Sequence, residues 1–253
     1  MKNKLKFLPI LFLLPLTAGL CGASLRATRL NYAIEAASGV PSFYGLVIVC
    51  VIALIMAILA AILLKNGIEY TSVFLSKALP IASFVSAACI LVYAGILIAS
   101  LADNFSVLTL IIALLSVYAC VSFIALGRHR LAEREDTAYC IFSAVPVFWV
   151  CFVLIITFRE KITDPLISNY VFLILAYISS LLFSYSTCAH VLGKKRKHFA
   201  VFSCFVGIFF ILTELLVPLF NDTVTFEISE LLPLIAFLVI MPFYTAEIAR
   251  KKN

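Results

Sequence analysis

Residues 45–64 read GLVIVCVIALIMAILAAILL, a run of 20 residues with no charge, amide or hydroxyl. As a helix rising about 1.5 Å per residue, such a run reaches about 30 Å, the thickness of a bilayer's hydrocarbon core. A lone segment in lipid has to satisfy its own backbone hydrogen bonds, so a helix is the form expected. The run is continuous and lacks the period-two alternation of a barrel strand.

Working outward, the same pattern recurs along the chain. Apolar runs between charges fall at Phe7–Leu25, Tyr44–Leu64, Leu79–Leu101, Phe105–Leu126, Ala138–Phe158, Asn169–Leu192, Phe199–Phe220 and Ile228–Ile248. The whole chain has 253 residues, 64% of them hydrophobic and 13% charged, with a mean hydropathy of +1.15. Soluble domains are roughly half apolar and a quarter charged, so an ordinary water-soluble fold is excluded. No long polar or low-complexity stretch is left over for a disordered region or a second domain. The expectation is an all-α integral membrane protein, a single polytopic domain over residues 1–253 with about eight transmembrane helices.

Counting Lys and Arg in successive connections orients that bundle. Fifteen of the 19 fall at the two termini and in alternate loops, and four fall in the loops between. Both termini are therefore expected in the cytoplasm, of a bacterial cytoplasmic membrane. The run Lys194, Lys195, Arg196, Lys197 belongs to the basic side. It is read as a topology signal that also meets anionic lipid headgroups, since so short a loop offers no element for reading nucleic acid.

The segment 7–25 has a second reading. Lys2, Lys4 and Lys6 before the run, and Cys21, Gly22, Ala23 and Ser24 at its end, resemble a secretory signal peptide. Cleavage would leave seven spans. An uncleaved helix is favoured, because the uncharged stretch is long enough to span and Arg26 and Arg29 follow at once. Residues 26–42 then form the first outside loop, with a short interfacial helix ending at Ser38-Gly39 as one option. Asp103-Asn104 and Asn221-Asp222 follow the third and seventh spans, a faint parallel between halves that ordinary turn chemistry also explains.

The eight cysteines, Cys21, Cys50, Cys89, Cys120, Cys140, Cys151, Cys188 and Cys204, all fall inside spans without a C-x-x-C pair. They read as small packing residues.

Of the 13 acidic residues, only Glu214 lies well inside a span. An ionised carboxylate in hydrocarbon is costly, so this group must face protein or water, be paired, or be protonated. Ser203, Gly207, Glu214 and Pro218 share a face at helical spacing, which turns Glu214 into the bundle. It is either a proton- or cation-binding group or a neutral packing residue. Tyr93, Trp149 and Tyr177 lie at similar depth, below the usual interfacial belt. Facing inward, they would form an aromatic layer under Glu214 able to hold an organic cation; otherwise they are three packing residues. Tyr177, Ser180, Ser184 and Thr187 form a stripe on the sixth span, expected to turn inward and bond across helices. Ala78, Ala82 and Ser86 permit close contact of the third span. Pro146, Pro218, Pro233 and Pro242 interrupt spans and free backbone carbonyls.

No metalloprotease, nucleotide-binding or nucleophile-elbow motif occurs, and no span has a central lysine. No metal and no cofactor are expected, and enzyme activity is disfavoured because no second acid or histidine accompanies Glu214. The leading expectation is a small-solute or ion transporter of the permease kind, with Glu214, Tyr177, Ser180, Ser184, Tyr93 and Trp149 as binding residues in the outer half of the bundle. The alternative is a non-catalytic membrane subunit, sensor or assembly factor with a membrane protein partner.

Overall fold

The computed structural model describes residues 8–32, 41–65, 73–103, 105–132, 137–162, 170–192, 197–220 and 228–249, with only the backbone described at several helix ends. They form α1 (Leu8–Tyr32), α2 (Pro41–Lys65), α3 (Val73–Asp103), α4 (Val107–Ala132), α5 (Thr137–Lys161), α6 (Val171–Val191), α7 (Lys197–Leu215), α8 (Val217–Phe220) and α9 (Ile228–Ala249). Among the described residues there is no strand. Among the described residues, seven helices, α2 to α7 and α9, are long and apolar enough to cross a membrane. This is a helical multi-pass membrane protein.

α3, α4, α5, α6, α7 and α9 pack successively around a closed circuit, α9 returning to α3, with α6 and α9 also touching. α1 and α2 pack on each other and on α7, outside that circuit. α7 is therefore the joint between two units, and it is buried nearly all round, from Ala200 and Ser203 through Ile208 and Ile211 to Glu214. α2 is the opposite case. Ile48, Val51, Ile52, Ile55, Ile58 and Leu59 are all exposed, which is the surface that contact with lipid tails requires.

Small residues set the closest contacts. On α1, Pro15, Gly19, Gly22, Ala23 and Arg26 are buried at three- and four-residue spacing. A Cβ on Gly19 would lie 2.7 Å from Leu212 Cβ, and one on Gly22 would lie 2.7 Å from Thr213 Oγ1. Glycine here lets two backbones approach where any side chain would hold them apart. Between α3 and α9, Ser86 Oγ donates to the Ala236 carbonyl at 2.8 Å, the close approach that the Ala78, Ala82, Ser86 spacing permits.

Two expectations need correction. The helix of the first segment does not stop at Leu25; α1 runs on to Tyr32, and Arg26 is buried at 4% exposure rather than flanking the span. No glycine or proline interrupts residues 23–32, and a buried partner neutralises the Arg26 charge, so the helix has no reason to end there. The seventh segment is not one helix: α7 ends at Leu215 and α8 begins at Val217. Pro218 has no N–H to give the Glu214 carbonyl, so the ladder breaks at that turn. Pro80, Pro146, Pro233 and Pro242, by contrast, stand inside continuous helices. The proposed interfacial helix beyond Tyr32, the Asn104 and Asn221-Asp222 turns, and Lys194, Lys195 and Arg196 lie outside the described residues, as does the side chain of Lys197.

Candidate functional site

Glu214 is 0% exposed, and its carboxylate is held by Arg26. Arg26 Nη1 donates to Oε2, and Nη2 donates to Oε1 at 3.2 Å. Two parallel N–H groups facing two carboxylate oxygens is the fork geometry only arginine supplies. The Arg26 guanidinium carbon also stands 5.3 Å from the ring centroid of Phe172, and Phe172 packs on Phe210 at 6.1 Å. The site thus draws its groups from α1, α6 and α7. Glu214 sits two helical turns beyond Gly207, on the face whose Gly207 abuts Met241 and Ser179, so it looks toward the circuit as its spacing predicts. Arg26 reaches to it across the glycine-lined contact of α1 with α7.

A second polar tier lies at the α5, α6 and α9 ends. Lys161 Nζ pairs with Glu230 Oε1 at 2.6 Å and stands 4.7 Å from the Tyr170 ring centroid. The Tyr177 hydroxyl donates to the Glu230 carbonyl at 3.0 Å, tying α6 to α9.

Tyr93 and Trp149 do meet, edge to face, with centroids 6.2 Å apart. Trp149 then stacks on Phe237 of α9 at 5.9 Å, and Phe237 meets Phe123 of α4 at 6.1 Å. The Trp149 indole donates to Ser116 Oγ at 2.8 Å, and Ser116 donates in turn to the Ile112 carbonyl at 2.7 Å. This aromatic column fills the circuit interior and locks α3, α4, α5 and α9 together through rings worth about 0.5–1.5 kcal/mol per pair beyond area burial.

The residues singled out in the sequence therefore separate into groups. Tyr93 and Trp149 belong to the column, Tyr177 to the Glu230 tier, and Glu214 to Arg26. Cations do stand over aromatic rings, but they are Arg26 over Phe172 and Lys161 over Tyr170. The stripe on α6 turns inward as expected, and its Tyr177 hydroxyl does bond across to α9, but the hydroxyls of Ser180, Ser184 and Thr187 do not. Ser180 donates to the Ala176 carbonyl, Ser184 to Ser180 and Thr187 to Ser184, at 2.7–2.9 Å. Serine and threonine in a helix reach such carbonyls without any partner helix, and this local bond wins.

Sequence reasoning missed Arg26, Phe172, Phe237, Ser116 and the Lys161–Glu230 pair. One signal pointed to the first of these: a single intramembrane carboxylate asks for a cation at its own depth. Among the described residues, no group of three or more His, Cys, Asp or Glu could hold a metal ion.

A buried charge pair, an aromatic column and seven spanning helices define the class only as a helical membrane protein. Compared with protein-family models, curated proteins and solved structures, the chain matches none.

Proposed function

We propose that the chain is a small-solute or ion transporter of the permease kind, in which opening and reclosing of the Arg26–Glu214 pair accompanies passage. The observation that supports this reading is the pair itself, sealed at the joint of two helix units. A central arginine costs an inserting helix roughly 2.5–3.5 kcal/mol, and intramembrane charges cluster on ion and solute pathways. An apolar pair would serve packing as well or better. A proton on Glu214 cancels half of the pair and leaves the Arg26 charge without its counterion. α1 then has to shift its guanidinium or accept an anion. α1 and α2 touch the circuit chiefly through α7, and the α7–α8 break lies beside Glu214, so this is where such a shift costs least.

In the same proposal both termini lie in the cytoplasm of a bacterial cell membrane. Taking Arg26 out of the loop tally leaves fifteen basic residues against three, and Lys194 to Lys197 face anionic headgroups.

A non-catalytic membrane subunit or assembly factor is the second reading. It is favoured by the hydroxyls of Ser180, Ser184 and Thr187, which their own helix satisfies in the manner of packing residues.

Thermal unfolding of the purified protein against a library of small solutes and a pH series separates the two. A solute that binds the folded state raises the midpoint in a concentration-dependent, roughly logarithmic way. Transport expects such a response in wild type and in Glu230→Gln, and its loss in Glu214→Gln. Identical melts of wild type and Glu214→Gln, with every solute and at every pH, would overturn it, and a partner protein co-purifying in mild detergent would then support the subunit reading.

A further inference from the structure

A pocket lined with hydroxyls lies between α4, α5, α6 and α9. Its α4 wall carries Ser122, six residues inside the span that ends at Arg128, which is about 9 Å of helix. Along α9 it begins at Phe237, a member of the aromatic column, and continues to Tyr244, the direction away from Glu230. The space is about 430 Å³ including its open mouth, but only about 30 Å³ of it admits water-sized molecules. One water needs about 10–15 Å³ on that measure, so the inner part takes roughly two. An organic solute is too large for it.

Ser122, Ser143, Ser184, Thr187 and Tyr244 bring five hydroxyls to this small space, and no charged side chain lines it. Ser122 is the group that demands an occupant. It is 5% exposed, and its hydroxyl has no hydrogen-bond partner among the described residues. A buried hydroxyl left in that state is costly. Ser184 and Thr187 have given their protons to the Ser180 and Ser184 carbonyls, so toward the pocket their oxygens accept. Ser143 and Tyr244 are buried too, and their oxygens can accept whatever their own protons bond. Pro146, also in the lining, has no N–H for the Phe142 carbonyl and so adds an acceptor on α5. The occupant must therefore bring protons to these acceptors and also accept one from Ser122. Water does both. A cation would suit the acceptors alone, and without a counterion it would bear its full desolvation. Cavities that stay dry are lined by apolar groups, and this one is not.

We propose that this pocket is an internal hydration site, in which about two waters bridge Ser122 to the oxygens of Ser143, Ser184, Thr187 and Tyr244. The waters join α4, α5, α6 and α9 and bring the aqueous phase as far as Phe237. The site is distinct from the Arg26–Glu214 pair, and it stands whether or not that pair takes part in transport.

Water-edited solid-state NMR on the full-length protein in lipid bilayers, with isotope-labelled serine, reads the contact directly. Ser122→Ala identifies the Ser122 signal by its loss. Ser86 is the dry reference, 0% exposed and bonded to the Ala236 carbonyl. Expected is transfer of water magnetisation to Ser122 several-fold faster than to Ser86. Ser184→Leu, which fills the space, should bring Ser122 down to the rate of Ser86. Thr187→Val, which keeps the volume and removes one acceptor, should slow the transfer in part. An unchanged Ser86 signal shows that each variant keeps its packing. Stability supplies an independent sign. Ser122→Ala should lower the folding equilibrium constant about two- to tenfold, one neutral hydrogen bond's worth, whereas removing a dry, unpaired hydroxyl should raise it. Equal transfer to Ser122 and Ser86, or a stabilised Ser122→Ala, would overturn the site. A Ser122 signal that moves when sodium replaces choline in the buffer would overturn water as the occupant in favour of a cation.

Discussion

The ion pairs Arg26–Glu214 and Lys161–Glu230 each join distant parts of the chain, and they differ in their access to water. Arg26–Glu214 links α1 to α7 with side chains 5% and 0% exposed. Lys161–Glu230 links the end of α5 to the start of α9 with side chains 23% and 17% exposed. Each pairs a cation with a glutamate, and each cation stands over an aromatic ring. The difference is water. At the Glu230 tier solvent can take over when a partner is lost, so the bond is worth little. At Glu214 nothing replaces the partner, and the surviving charge is stranded. The choice of residue follows: a compact, well-hydrated ammonium at the edge, and a forked guanidinium where both carboxylate oxygens need a donor.

The largest test of this contrast is truncation. Arg26→Ala or Glu214→Ala should each lower unfolding stability by about 3–5 kcal/mol, the cost of an uncompensated buried charge. Chemical denaturation in detergent micelles reads this directly.

Next comes the glycine contact that lets Arg26 reach its partner. Gly19→Ala should cost about 1–3 kcal/mol, because the new methyl meets Leu212 Cβ, which is anchored to the α7 backbone. Gly207→Ala should cost less than about 1 kcal/mol, although its Cβ would come equally close, at 2.7 Å, to Met241 Sδ. The far end of a methionine can swing aside. Equal losses in the two variants would show that the neighbours' stiffness does not decide the outcome.

The smallest effect belongs to the half-buried pair. Lys161→Ala or Glu230→Ala should change stability by about 1 kcal/mol or less. Raising salt to about 1 M should narrow that difference in part, since a half-buried pair is screened less than an exposed one, and should leave the penalty of Arg26→Ala unchanged.

Most of the fold was legible because lipid imposes a simple rule: a continuous apolar run becomes a helix. The run at 45–64 needs no tertiary information at all. What was not legible depended on tertiary contact. Arg26 follows the apolar residue Leu25 and reads locally as an interfacial flank. Only a partner 188 residues away in sequence makes its burial possible. Depth matching found Tyr93 and Trp149 together, because two residues at one level on inward faces have few places to go. It could not find Phe237 or Phe172, two of 22 phenylalanines with no local mark. The α6 stripe was placed inward correctly, and Tyr177 bonds across helices as expected, but the partners of Ser180, Ser184 and Thr187 were misjudged, since the carbonyl one turn back is always within reach.

A double-mutant cycle on Arg26→Met and Glu214→Leu, followed by chemical denaturation, tests the central claim most directly. If the two residues form one sealed pair, the double variant removes both charges together and should be more stable than either single variant. Their coupling energy would then stand near the top of the roughly 0.5–3 kcal/mol seen for contacting residues. Single losses that add to within about 0.5 kcal/mol would mean the two charges do not depend on each other, and the pair could then be neither clamp nor switch.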